Sequence, residues 1–198
     1  MNEKQAKLIL HANSSLFSAV FPFQGGELFL AADEESLKCV VYGHRTTLVD
    51  MIRSNCVPSI TAPLDESLNY FSSYFNDPYA FVDVPCLDLN GYTTMEKKVY
   101  QSLLSIETGT TVSYGELAKR SGIPGGARFV GNTMAKNRFP IIVPCHRVIK
   151  GDGSMGMYTS GVEMKKFLLD HEMNTHTHSQ ELPKAGNPDD IEKKFKLG

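Results

Sequence analysis

The chain has 198 residues, is 41% hydrophobic, and carries 20 bases and 22 acids for a formal charge of −2 at pH 7. This length and composition fit a soluble protein of one or two small domains, long and apolar enough to bury a core. No apolar run approaches a membrane span, Met1-Asn2-Glu3-Lys4 does not open a signal peptide, and Cys39, Cys56, Cys86 and Cys145 lack paired spacing, so they read as free thiols in a reducing compartment.

In chain order, Lys7 to Ala12, Leu16 to Phe23, Glu27 to Ala32 and Leu37 to Tyr42 read as short strands, with a hairpin turn at Gln24-Gly25-Gly26. Asp65 is placed to cap a helix through Phe75, on which Leu64, Leu68, Phe71 and Phe75 lie near helical spacing, and Asn76-Asp77-Pro78 ends it. The first half is therefore expected to be an antiparallel sheet with one helix packed on it. Pro78 to Asn90 has little periodicity and reads as a linker. The expected divisions are an α/β domain over 1–88, a second domain over 89–173 and a polar, disordered tail over 174–198.

The second half is mainly helical. Thr93-x-x-Glu96 is a capping box for a helix through Val99, Leu103 and Ile106, closed near Gly109. Ser113-x-x-Glu116 is a second capping box, opening a short helix to Arg120. The turn Ser121-Gly122-Ile123-Pro124 and a helix from about Gly125 to Lys136 complete helix-turn-helix spacing. On that last helix Ala127, Arg128, Gly131, Asn132 and Ala135 share one face, and Val130 and Met134 lie on another. Small residues let a backbone approach another surface closely, either nucleic acid or protein. From Leu117 to Gly151 there are seven bases (Lys119, Arg120, Arg128, Lys136, Arg138, Arg147, Lys150) and no acid. Such a local window is the electrostatic footprint expected of a nucleic-acid partner, despite the negative total.

Pro144-Cys145-His146-Arg147-Val148 follows the apolar run Ile141-Ile142-Val143, which reads as a buried strand stopping at a proline. A free thiol is only a few per cent ionised at neutral pH, because its pKa is about 8.5, so a nearby base or cation must raise that fraction. His146 and Arg147 are the local candidates.

The stretch Asn137-Arg138-Phe139-Pro140-Ile141-Ile142-Val143-Pro144-Cys145-His146-Arg147-Val148-Ile149 resembles the active-site motif of the O6-alkylguanine-DNA alkyltransferase (methylated-DNA–protein-cysteine methyltransferase) family. The likeness extends to Thr111-Val112-Ser113-Tyr114-Gly115-Glu116-Leu117-Ala118, Ala127-Arg128-Phe129-Val130-Gly131, Gly156-Met157-Tyr158 and Lys165-Lys166-Phe167-Leu168-Leu169-Asp170-His171-Glu172, about 80 residues in order. The first half carries no such motif and is assigned by position. The resemblance implies an α+β protein: a ribonuclease H-like antiparallel sheet plus helix, followed by a helical, winged-helix-like domain with the helix-turn-helix.

It also implies a function. An O6-alkyl group lies inside the base stack, so the nucleotide must be rotated out before a thiol reaches it. By resemblance Cys145 is the nucleophile and permanent alkyl acceptor, and His146, oriented by Glu172, takes the thiol proton through a water. Asn137 braces the strand that presents the cysteine. Tyr114 turns the nucleotide and donates to the base. The helix bearing Ala127, Gly131 and Ala135 enters the minor groove, and Arg128 fills the space left by the base. Tyr158 and the backbone near Thr159 shape the pocket, Lys165 sits near the departing oxygen, and the carbonyls of Cys145 and Val148 read the exocyclic amine. Arg147 is grouped with the base-contacting residues.

The implied partner is double-stranded DNA carrying O6-alkylguanine, mainly O6-methylguanine and secondarily O4-methylthymine. No cofactor and no membrane are implied. The protein is expected to be a monomer, nuclear if eukaryotic and otherwise cytoplasmic. The departures are Arg138 where the family usually has proline, Phe129 and Thr133 where small residues are common, and Ser160, which is expected to narrow tolerance for large adducts.

Some relatives hold a structural zinc in the first half. His11, Cys39, His44, Cys56 and Cys86 lack ligand-pair spacing, so none is expected here, and His176-x-His178 falls in the tail. A non-catalytic lesion sensor is the alternative from another class, disfavoured because Cys145, His146 and Glu172 are all present. A two-metal nuclease lacks clustered strand-borne acids.

Overall fold

A computed structural model describes residues 1–11 and 15–176. The chain divides into two compact units, Met1–Asn76 with Phe81–Asp88, and Asp77–Ala80 with Leu89 onward. Each is a mixture of helices and short strands.

The first unit contains α1 (Glu3–His11), β1 (Leu16–Phe23), β2 (Gly26–Ala32), β3 (Leu37–Tyr42), α2 (Thr46–Asn55), β4 (Cys56–Pro58) and α3 (Ala62–Asn76). The sheet order is β3-β2-β1-β4, antiparallel except for the parallel β1–β4 pair. Strand alternation sends Phe29, Ala31, Cys39 and Val41 to one face, where Ala6 and Leu10 of α1 and Leu48, Val49 and Ile52 of α2 cover them. On the opposite face Phe21 and Phe23 meet Phe71 and Phe75 of α3, with the Phe23 and Phe75 rings 4.7 Å apart and stacked.

Several expectations need correction. Lys7–Ala12 is not a strand: residues up to His11 are helical, because Ala6 and Leu10 recur at the spacing that buries one helical stripe. Ala12 itself lies outside the described residues. Helix α3 opens three residues before Asp65, whose amide already donates to the Thr61 carbonyl, so Asp65 sits in the first turn and is not the cap. The expected linker is structured. Leu37 donates to Cys86 and accepts from Asp88, adding 81–88 to the first unit, whereas 77–80 joins the second. Helix α2 and strand β4 lie where no element is expected.

The second unit contains α4 (Thr94–Leu104), β5 (Val112–Ser113), α5 (Tyr114–Arg120), α6 (Ala127–Ala135), a single 3-10 turn (Cys145–Arg147), β6 (Val148–Ile149) and α7 (Val162–His176). Both bonds of the Thr93–Glu96 capping box are made. Ser113 caps α5 through the Glu116 amide, while the Glu116 carboxylate turns to Arg120 at 3.2 Å. Gly122, at φ +75°, lets the chain reverse between α5 and α6. Tyr100 of α4 is fully buried and donates to the Thr133 carbonyl on α6, fixing the helix-turn-helix to the rest of the unit. β5 and β6 pair in parallel, Val112 with Val148 and Ser113 with Ile149, which brings the segment before β5 beside the 3-10 turn and the start of α5 beside Lys150.

Helix α7 continues three residues past the expected boundary at 173. The rest of the expected tail, 177–198, lies outside the described residues, as do His178 and the side chains of His11 and His176. Among the described residues no helix is long and apolar enough to cross a membrane.

Candidate active site

Ile141-Ile142-Val143 is not a strand, which corrects the expectation for the segment delivering Cys145. With Pro140 before it and Pro144 after it, the run forms a buried loop instead. Ile141 is held at φ +73°, a conformation that a β-branched residue adopts only when its surroundings over-determine it. Asn137 supplies that determination. Its Oδ1 accepts from the Phe139 amide at 2.9 Å, and its Nδ2 donates to the Val143 carbonyl at 2.9 Å and to Cys145 Sγ at 3.1 Å. The resemblance implies that Asn137 braces a strand; its amide instead spans a loop, and its bond to sulfur is found only in the structure.

The 3-10 turn resolves the problem of neighbouring side chains. On a strand Cys145 and His146 would point to opposite faces, whereas consecutive residues of a tight turn can serve one site. Helix α7 supplies the rest. Lys165, Leu168, Leu169 and Glu172 follow the i, i+3, i+4, i+7 stripe and all are buried, so two ionisable groups ride on its core face. His146 Nε2 lies 2.7 Å from Glu172 Oε1. Glu172 also accepts from Arg147 Nε (3.2 Å to Oε1, 3.1 Å to Oε2) and Nη2 (3.0 Å), and from the Gly109 amide at 3.1 Å. Tyr79 donates to its backbone carbonyl at 2.9 Å. Lys165 donates through Nζ to the carbonyls of Val148 and Met155.

These surroundings set the charge states. Burial pushes the Cys145 thiol up, against the Asn137 hydrogen bond and the Lys165 charge, so the resting sulfur is a neutral thiol that needs a base. Burial pushes His146 down, against the pull of Glu172. Burial by itself would raise Glu172, but His146 and Arg147 overcome it and hold the carboxyl well below the usual carboxylate range. Burial brings Lys165 down to about 8, with the Cys145 sulfur resisting. Tyr114 is raised by burial and by Cys145, so it remains a neutral hydroxyl donor. An acid–base pair thus adjoins a cysteine whose accessible surface is 9% of its maximum.

Tyr114 is half-buried. A Cβ on Gly131 would lie 3.9 Å from its ring, and one on Gly156 would lie 3.1 Å from its hydroxyl. The α5 tyrosine, the α6 face and the 156–158 loop therefore converge. Ala127 and Gly131 are half-buried and Arg128 and Ala135 exposed, so this face of α6 is turned outward, while Val130, Thr133 and Met134 are buried. Tyr158 is half-buried and Thr159 exposed. The Val148 carbonyl already accepts from Lys165, and the Cys145 carbonyl from the Val148 amide.

The basic window also needs correction. Arg138 and Arg147 are 4% and 7% exposed, Lys136 pairs with Glu96 and Arg120 with Glu116, so the outward charge rests mainly on Lys119, Arg128 and Lys150. Arg147 in particular lies with Glu172, not on a surface open to DNA. Its partners Ile106, Thr108 and Glu172 are 25 to 41 residues away, and no local pattern announces them. Among the described residues no cluster of three or more metal-ligating side chains occurs.

The sequence profile of the 6-O-methylguanine DNA methyltransferase DNA-binding domain matches residues 94–174. A methylated-DNA–protein-cysteine methyltransferase of Methanosarcina acetivorans is 35% identical over 158 residues, covering 78% of this chain and 96% of that protein. The namesake from Methanothermobacter thermautotrophicus is 41% identical over 90 residues, covering 46% of this chain and 50% of that protein, so the chain spans about half the length of some relatives it matches. The crystal structure of Mycobacterium tuberculosis O6-methylguanine methyltransferase superposes with a TM-score of 0.70 at 32% identity, over 81% of this chain and 94% of that one. The same organism's protein in complex with DNA gives 0.68 at 30% identity, over 90% and 99%. The buried Cys145–His146–Glu172 constellation thus sits in a chain that belongs to the methylated-DNA–protein-cysteine methyltransferase family.

Proposed function

We propose that this chain repairs DNA by taking the alkyl group of O6-alkylguanine, mainly O6-methylguanine and secondarily O4-methylthymine, onto Cys145, once per molecule and without a cofactor. The observation that carries this reading is the hydrogen bond between Glu172 and His146, the residue next in the chain to a thiol that Asn137 contacts. In the reaction His146 takes the thiol proton through one water, its Nδ1 having no hydrogen-bond partner among the described residues. The thiolate attacks the alkyl carbon, the S–C bond forms, and the C–O6 bond breaks with its electron pair left on guanine. That anion takes up one proton and His146 returns its own to solvent, so the products are guanine and an S-alkylcysteine.

Outward-facing Arg128, the small residues of α6 and an α6 N-terminus without a side-chain cap or first-turn acid support docking against DNA. Tyr114 is suited to turn the nucleotide and donate to the flipped base, with Tyr158 and Thr159 at the edge of its pocket. We read the first unit as ribonuclease H-like, on its 3-2-1-4 strand order with a parallel β1–β4 pair, and the second as winged-helix-like; the protein acts as a monomer. A non-catalytic sensor has no need of a thiol with a base and an oriented carboxylate.

The test is to mix the protein with O6-methylguanine duplex and weigh the peptide containing Cys145. A gain of one methyl unit, lost in Cys145→Ala, is the expected result. Binding with no mass change would establish the sensor instead.

Gly156→Ala separates base presentation from sulfur chemistry. The residue sits at φ +66°, and the new Cβ would press on the Tyr114 hydroxyl. The left-handed backbone costs about 1–2 kcal/mol for a residue with a side chain. Transfer from duplex should slow about tenfold, as expected for a displaced positioning group, while Cys145 reacts with a small alkyl halide at the unaltered rate. Equal slowing of both reactions would reject Tyr114 displacement.

A further inference from the structure

Glu172 has two cationic or potentially cationic neighbours, His146 and Arg147, and one negative charge to share. Arg147 meets both carboxylate oxygens, and its Nη1 and Nη2 also donate to the Ile106 carbonyl at 2.7 Å and to Thr108 Oγ1 at 2.9 Å. A guanidinium stays charged at any working pH and fits a carboxylate through two prongs, so the charge of Glu172 is already balanced. A proton added to His146 would place a second cation in a fully buried cluster with one anion, an expensive arrangement. The neutral ring keeps its hydrogen on Nε2, donating to Glu172. Its Nδ1 is the buried side-chain nitrogen or oxygen without a hydrogen-bond partner among the described residues. A lone pair is thereby held open on the ring that adjoins Cys145.

We infer that Arg147 is a positioning residue of the transfer reaction: by balancing Glu172 it keeps His146 a neutral base with Nδ1 available to the thiol proton. This inference rests on the alkyl-transfer reading of Cys145. It replaces a base-contacting role for Arg147, whose side chain is 9% exposed.

The groups facing His146 agree with this assignment. From α7 come Glu172 and Lys165, and from its own turn Arg147 and Cys145. The segment before β5 adds the Gly109 amide and the Thr108 hydroxyl to the cluster. The 77–80 segment adds Tyr79, a neutral donor to the Glu172 carbonyl, with Asp77 beside it. Arg147 and Lys165 both oppose protonation of His146, and Glu172 favours it.

The test measures single-turnover transfer from O6-methylguanine duplex between about pH 5 and pH 9 for wild type, Arg147→Met and Arg147→Lys. Nitrogen NMR of His146 in the resting protein accompanies it. In Arg147→Met the pair gains a proton, so the acid limb of the rate profile should move up by about one pH unit or more. The rate loss should then be largest at low pH and shrink as pH rises. Arg147→Lys should recover part of the shift, because it restores the charge without the fork.

A rate loss in Arg147→Met that is uniform across pH, with the limb unmoved, overturns the inference and leaves Arg147 a purely structural group. Should Arg147→Met not fold, the wild-type spectrum decides. A neutral Nε2–H tautomer persisting below pH 6.5, the ordinary value for histidine, supports the inference, and an imidazolium already present there overturns it. A wild-type protein with that neutral tautomer and no alkyl transfer would reject the repair reading while leaving the charge assignment intact.

Discussion

Glu172→Gln is expected to lower folding stability by about 3–5 kcal/mol, because it leaves the Arg147 guanidinium buried without an anion. That is a large part of the roughly 5–15 kcal/mol available to a domain. The amide oxygen can still accept one hydrogen bond, yet Gln cannot receive the Arg147 fork, the Gly109 amide and His146 Nε2–H together.

The pH dependence gives a second readout. Glu172 and His146 are both held below their ordinary values of 4.5 and 6.5 in the folded chain. A depressed folded value means that the unfolded chain binds more protons over that interval, so stability is full above the ordinary value and falls with pH below it. Wild-type stability should thus erode from just under pH 6.5 and continue through pH 4.5 and below, whereas Glu172→Gln loses its share of the lower part of that slope. Urea denaturation at several pH values measures both effects. A loss under about 1 kcal/mol, the range of an exposed ion pair, would mean that water enters the cluster in solution.

Asn137→Ala is expected to slow alkyl transfer about 10- to 100-fold, since a hydrogen bond to a charged group is worth about 1.5–3 kcal/mol and the bond to Cys145 Sγ strengthens as the sulfur becomes a thiolate. Stability should fall as well, by about 1–3 kcal/mol for the buried Phe139 amide left without its Asn137 acceptor. The strained Ile141 backbone loses the clamp that spans it. The two consequences are separable. Following Cys145 ionisation by thiolate absorbance should show the thiol titrating at higher pH in the variant. An unmoved titration beside reduced stability would limit Asn137 to holding the loop.

Elements governed by near neighbours were legible in the sequence. Thr93 and Glu96 stand three residues apart and satisfy one another at the start of α4, so their capping box needs no tertiary help. The β1–β2 hairpin follows from its alternation and from a turn at Gln24-Gly25. The outward face of α6 follows from 3.6-residue periodicity.

Apolar runs without a clear period were not legible. Lys7-Leu8-Ile9-Leu10-His11 satisfies a strand as well as a helix, and burial of Ala6 and Leu10 against the sheet decided for the helix. Ile141-Ile142-Val143 has strand-forming residues, but the Asn137 clamp and the flanking prolines bend it into a loop. α2 hid behind Thr46, Thr47 and Val49, residues that favour strands, until Leu48, Val49 and Ile52 packed on the sheet.

The chemical groups were determined by the sequence alone: a thiol, its imidazole neighbour and a carboxylate on a following helix are covalent facts about positions 145, 146 and 172. Only the tertiary structure decided how the charges are shared. Arg147 meets its carboxylate across 25 residues and Asn137 reaches the sulfur across eight. Coulomb and hydrogen-bond energies depend on distance and burial, and neither quantity exists until the chain has folded.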